Sequence, residues 1–302
     1  MKNRILAILL CLVMTAFAFS SCGNTENNSE ETKGTAAVSE APAESEKPEI
    51  AAPEGDINIT FEGDSVSADK EHEALEIIGS TVKIKAAGRY IFSGTLNDGA
   101  IVVEAPKTDK VDIVLAGVNI TNSQSAPVYI MSCDKAKIVL EDGSENFLTD
   151  AKNYKFENGE DKPNACIYSS EDIDFEGNGS LTVVGNYNNG IGSKNDIDIE
   201  SGIITVRAAN NGIKGNDSVS ISGGKIIIEG ADDGIKSDNE TEAEKGFVRI
   251  DGGEIFITAD DDAIQAFSAV TVNGGSLTTN AGGKAINCDG SITLAEGVLT
   301  EN

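Results

Sequence analysis

Apolar residues along the C-terminal half of the chain fall in short alternating runs, such as "NGIKG", "SVSISG" and "KIIIEG". Period-two alternation predicts strands with one buried face. The runs are separated by turns rich in Gly, Asn and Asp, residues that accept tight backbone conformations. Aligning on a Gly/Ala-Ile pair gives Gly190-Ile191, Gly212-Ile213, Gly234-Ile235, Ala263-Ile264 and Ala285-Ile286, at steps of 22, 22, 29 and 22 residues. A second apolar column runs Ile197, Val219, Val248, Val270, Ile292, and a third runs Ile204, Ile226, Ile255, Leu277, Leu299. A fourth is all glycine: Gly202, Gly224, Gly253, Gly275, Gly297. Four columns sharing one register identify a true repeat. The seven extra residues of the long step lie in "SDNETEAEKG", between the first and second columns.

Three strands in each 22-residue unit describe one coil of an all-β fold, a right-handed single-stranded parallel β-helix. The left-handed type needs hexapeptide repeats and leucine-rich repeats need a leucine lattice, and both are missing. Upstream the pattern loosens: "NACIYSSEDIDFEGNGSLTVVGN" aligns at a step of 24, with Ile167 matching Ile191 and Ile173 matching Ile197. Two earlier stretches each supply three strand-like runs. The expected domain spans 56–302, with 56–98 as an N-terminal cap and about seven coils after it. The last coil reaches Asn302 with no polar segment over it, which predicts either an abrupt stop or missing later coils.

Residues 1–21 combine a basic start, an apolar run and small residues at the end, the pattern of an export signal. "FSSC" resembles a bacterial lipobox, which makes Cys22 the expected lipidated residue, although Phe19 stands where leucine is usual. Residues 22–55 are rich in Ser, Thr, Glu, Ala and Pro and read as a disordered acidic tether. Together these predict an extracytoplasmic protein that is lipid-anchored to the bacterial membrane or envelope and meets the membrane only through its lipid.

The formal net charge is −27; removing the signal takes away Lys2 and Arg4 and no acid, giving −27 − 2 = −29. Such a chain lacks the basic stripe of a nucleic-acid binder and favours cations, or metal ions bridging to other anions. Outside the signal the cysteines are Cys22, Cys133, Cys166 and Cys288, and the single histidine is His72. No CxxC pair or Cys-His cluster supports zinc or thiol catalysis. Buried thiols in a β-rich core are the expectation.

In a parallel coil, residues one repeat apart stack about 4.8 Å apart. The isoleucine column is therefore core. The Gly/Ala column beside it is expected to alternate outward as a shallow trough, with Gly192, Lys214, Lys236, Gln265 and Asn287 as the next outward column. Two polar columns precede the trough: Asn164, Asn188, Asn210, Asp232, Asp261, and Asn189, Asn211, Asp233, Asp262, Lys284. Stacked asparagines can form amide ladders. Stacked aspartates repel, so Asp232, Asp233, Asp260, Asp261 and Asp262 call for a counter-ion. Hard carboxylate oxygens in a flexible turn suit Ca²⁺; the alternative is an acidic corner screened by solvent, with Lys214 and Lys236 as partial partners.

The stretches "GRYIFSGTLNDGAIVVEAPKTDKVDIVLAGVNITNS" and "GEDKPNACIYSSEDIDFEGNGSLTVVGNYNNGIGSKNDIDIESG", with the "DGIK" and "GGEIFITA" repeats, resemble a clostridial family of cell-surface carbohydrate-binding β-helix proteins. The resemblance covers residues 56–302. It implies a pectate-lyase-like fold, bound calcium, and binding of cellulosic glycans or acidic plant polysaccharides such as polygalacturonate.

Against that background, Lys214 and Lys236 are candidate contacts for a uronate, and Gln265 and Asn287 for hydroxyl groups. The chain has no Trp for stacking on sugars. Its aromatic cluster, Tyr154 and Phe156 on one loop with Tyr168 and Tyr187 on nearby coils, is either a second contact site or simple loop packing. A monomer that binds polysaccharide along a β-helix face with calcium bridging is the expectation. A polysaccharide lyase and a non-catalytic adhesin or spacer are the alternatives. The arginines outside the signal, Arg89, Arg207 and Arg249, lie away from the acid columns, so no catalytic residue stands out.

Overall fold

A computed structural model describes residues 50–155 and 162–302; the expected signal, Cys22, most of the tether and Phe156 lie outside them. The described chain from residue 50 onward belongs to one compact unit, Pro48–Asn302. It contains strands and no helix.

The in-register columns become physical ladders. Ile191, Ile213, Ile235, Ile264 and Ile286 pair rung to rung. The second column does the same from Ile197 to Ile292, and the third from Ile204 to Leu299. Ile191, Ile213, Ile235 and Ile264 are fully buried; each such burial is worth about 2 kcal/mol. The glycine column turns the corner before the third strand, with φ from +76° to +100°, a region open to glycine and strained for other residues. These stacked three-strand coils form the expected right-handed parallel β-helix.

Three faces surround the core. The first is a ten-stranded sheet running from Leu75–Ile78 to Ile286–Cys288. The second and third belong to one eighteen-stranded sheet. They fuse at the long strand Lys110–Thr121, which pairs with both Lys135–Leu140 and Glu145–Thr149. The stack begins earlier than the sequence suggests. Within the expected cap, Thr81–Ile84 already pairs in parallel with Ala100–Glu104, and Gly88–Leu96 with Lys110–Thr121. Among the described residues only the hairpins Ile57–Gly63/Ser65–Ala68 and Leu75–Ile78/Thr81–Ile84 are antiparallel. Cys133 and Cys166 are buried and unpaired, and burial pushes the Cys133 thiol up to about 12.

The outward glycine trough is overturned. A methyl group built on Gly190 would stand 2.2 Å from Val206 Cγ1, on Gly212 2.6 Å from Ile228 Cγ2, and on Gly234 2.3 Å from Ile257 Cγ2. These glycines face the core beneath the third sheet face, because strict alternation breaks at the corner and two successive residues point inward. Ala263 fills the same place fully buried. By register its opposing residue is Thr279, the rung partner of Ile257, whose smaller side chain leaves room for a methyl.

Gly234→Ala is therefore expected to cost about 1–3 kcal/mol through overpacking, read as a lower denaturant midpoint at unchanged slope. In an Ile257→Thr background the same change should cost measurably less. Equal costs in both backgrounds would show that the glycine does not answer to Ile257.

Candidate functional site

The outward row of the first sheet runs Tyr129, Tyr168, Gly192, Lys214, Lys236, Gln265, Asn287. It places the four expected contacts Lys214, Lys236, Gln265 and Asn287 in one line, but not in one open trough. The seven-residue insertion rises between Ile235–Ser237 and Phe247–Ile250 and divides the row. On one side is a cleft of about 560 Å³ floored by Gly192 and Lys214, with Asn164 and Tyr168 on one wall and Thr241, Glu242 and Lys245 on the other. On the other side a smaller recess of about 190 Å³ holds Lys236, Gln265 and Asn287 with Asp238 and Glu240. At Gly192 a side chain would rise into the space beside Ala165 and Asn164.

The insertion is firmly tied. Asp217, nearly buried, accepts the Asn239 amide at 2.7 Å and the Lys245 ammonium at 2.9 Å. Burial alone would push Asp217 up, but the Lys245 and Asn239 hydrogen bonds outweigh it and hold its carboxyl below the ordinary value. Asn239 Oδ1 accepts backbone N–H groups of Thr241 and Glu242. Lys194, Thr241, Glu242 and Lys245 were not singled out from sequence; for the last three the broken repeat length was the available signal.

Of the five candidate metal ligands, Asp233, Asp261 and Asp262 converge, with one ligand atom from each within 4.8 Å of the others. Asp232 and Asp260 are exposed and stand outside this trio. Asp233 and Asp262 are nearly buried. Asp233 Oδ2 pairs with Lys236 Nζ at 2.8 Å, and Asp262 Oδ2 accepts the Asn287 amide at 2.6 Å. Lys236 thus answers the acid repeat directly, whereas Lys214 turns instead to Asp238 at 2.7 Å.

Two features fit the trio to a hard cation. Gly283 leaves the carboxylates room: a methyl there would stand 2.5 Å from Asp261 Oδ1 and 2.7 Å from Asp262 Oδ1. The second is an orphaned oxygen one rung away. Asn189, Asp233 and Asp262 each pass a side-chain oxygen to the N–H of the next rung, at 3.2, 3.2 and 2.8 Å. Between Asn211 and Asp233, just after the bulge at Gly230, this chain breaks, and Asn211 Oδ1 is buried without a hydrogen-bond partner among the described residues. Oxygen donors of this kind suit Ca²⁺. The amide ladder expected of the asparagines is present, Asn211 Nδ2 donating to Asn189 Oδ1 at 2.8 Å.

The aromatic candidates separate. Tyr168 is 4% exposed and packs against Tyr129, leaving only an edge to the cleft. Tyr154 stacks on Tyr187 at 4.2 Å and its hydroxyl donates to Asp150 at 2.6 Å. It also packs on Ala126, Tyr129, Ala165 and Tyr168, so loop packing describes it. Tyr187 keeps a partly exposed ring.

The Asp262 charge, then burial and the Asp233 charge, raise the Asp261 carboxyl above its ordinary value. The folded state therefore binds that proton more tightly than the unfolded chain. Stability falls as pH rises from the ordinary value of 3.8 through the raised one. At neutral pH, in chelator, Asp261→Asn should raise the melting temperature. An unchanged or lower melting temperature would mean that the acids do not strain the corner.

Residues 78–301 match the family described as carbohydrate-binding domain-containing proteins. A protein of that description from Acetivibrio thermocellus is 54% identical over 157 residues, 51% of this chain and 54% of the relative, so the chain spans about half the length of the curated relative it matches. A solved structure described as a polysaccharide lyase-like protein from C. thermocellum, a gadolinium derivative, is similar with a TM-score of 0.80 at 50% identity, covering 82% of this chain and all of that one. The chain belongs to the family of carbohydrate-binding domain-containing proteins.

Proposed function

We propose that this protein binds an acidic polysaccharide, of the polygalacturonate kind, on the outer face of its ten-stranded sheet, and that Ca²⁺ held by Asp233, Asp261 and Asp262 joins protein to polymer. The observation that carries this reading is the direct contact between the acid trio and the outward row, through Lys236 to Asp233 and Asn287 to Asp262. A bound Ca²⁺ supplies the positive charge that draws uronate carboxylates to an otherwise strongly acidic surface. The chain's own groups do the rest. Lys236, released from Asp233, offers its ammonium to the polymer, and the Gln265 and Asn287 amides meet hydroxyl groups. In the neighbouring cleft, Lys214, released from Asp238, supplies charge and Thr241 a hydroxyl.

The protein is proposed to act at the bacterial cell envelope, held by a lipid on Cys22. Binding without cleavage is the reading favoured. Arg89, Arg207 and Arg249 all lie off the first sheet, paired with Asp112, Glu229 and Asp251. None stands beside the trio to draw the proton that β-elimination requires.

Retention on immobilised polygalacturonate tests this. Chelation should weaken it about tenfold or more, a loss of about 1.4 kcal/mol. Asp262→Ala should bind weakly with or without calcium, and no unsaturated-uronate absorbance should develop. Retention indifferent to chelator would overturn the calcium bridge, and a steady rise in absorbance would establish a lyase.

A further inference from the structure

The insertion changes what the first face is able to hold. On an uninterrupted row a linear polymer would run along the axis, crossing one rung every 4.8 Å or so. Here residues of one short loop face both ways: Asn239, Thr241, Glu242 and Lys245 line the cleft, and Asp238 and Glu240 line the recess. The partition is anchored at its base by Asp217 and Asn239, both nearly buried. The Gly246 N–H adds a hydrogen bond to the Asp217 carbonyl at 2.6 Å. Lys214 reaches Asp238 beneath it. A polymer lying along the axis meets this wall, so a chain in either compartment has to run across the rungs.

The compartments also differ in chemistry. The recess alone touches the acid trio, through Lys236 and Asn287. Among the described residues the trio does not line the cleft; its charged groups are the ammoniums of Lys194, Lys214 and Lys245 and the carboxylates of Asp217 and Glu242, set among amides and hydroxyls. At about 560 Å³ it falls within the range of about 300–1,000 Å³ typical of small-ligand sites. The recess, at about 190 Å³, suits one edge of a sugar ring.

From this geometry we infer that the protein holds two glycan segments side by side, one in the calcium-independent cleft and one in the calcium-dependent recess, and so cross-links polysaccharide chains. The inference rests on the carbohydrate-binding reading above and adds to it the number, independence and direction of the bound segments.

Titration calorimetry of the whole protein with a short oligogalacturonate decides it. Two sites per chain are expected in calcium and one in chelator. Lys214→Ala should weaken the chelator-resistant site about tenfold; because Lys214 also pairs with Asp238 of the recess, Lys194→Ala is the variant confined to the cleft and should leave the other site. Asp262→Ala should remove the calcium-dependent site and leave the first. Thermal melting followed by circular dichroism establishes that each variant is folded. If either is not, Lys194→Ala and Gln265→Ala replace them, one in each compartment. With long polymer, light scattering should rise to a maximum at intermediate ratios of protein to polymer and then fall. A single site in calcium, or one variant abolishing both, overturns the inference while leaving the binding reading intact. No heat under any condition removes the underlying reading as well.

Discussion

Everything in this molecule depends on in-register parallel stacking. Each strand hydrogen-bonds to its counterpart one coil away, so a residue type repeated in sequence becomes a line of contacts in space. For isoleucine this is favourable throughout: Ile191, Ile213, Ile235 and Ile264 form a continuous buried column. For charged residues the same rule imposes a cost, because like charges are brought to within one rung. The chain resolves this differently along its length. Asn189 and Asn211 carry the inner column in the earlier coils and bond to each other, and where Asp233 and Asp262 follow them, Lys236 and Asn287 stand beside the two acids.

The fold was legible because its signal is redundant. Three apolar columns and one glycine column repeat in one register, and the apolar columns stand in space as ladders. The sense of the Gly190, Gly212 and Gly234 column was not legible. Alternation predicts outward, but the corner between faces places two successive residues inward, and only the third-face partners Val206, Ile228 and Ile257 reveal it. The N-terminal rungs were hidden for a related reason: in Gly88–Leu96 and Lys110–Thr121 two faces share one long strand, so the three-strand period disappears.

The site was read in part. Its outward row followed from the repeat, and the acid trio from the aspartate columns, although Asp232 and Asp260 stand outside it. The division into two compartments was missed. It is written in the seven extra residues, but their role depends on Asp217, Asn239 and Lys245 drawing the loop back over the sheet, contacts that no local pattern announces. For Tyr168 the sequence left sugar contact and packing both open; contact with Tyr129 and Tyr154 buries it.

On this reading carbohydrate meets the protein on the ten-stranded face, with a cation at one edge of it. A crystal structure of the protein soaked with calcium and a uronate oligosaccharide tests this most directly. A metal is expected among Asp233, Asp261 and Asp262, and sugar density over Lys214 or over Lys236 and Gln265. Sugar bound on the second or third face, or a metal held elsewhere with the trio still closed by Lys236, would contradict it.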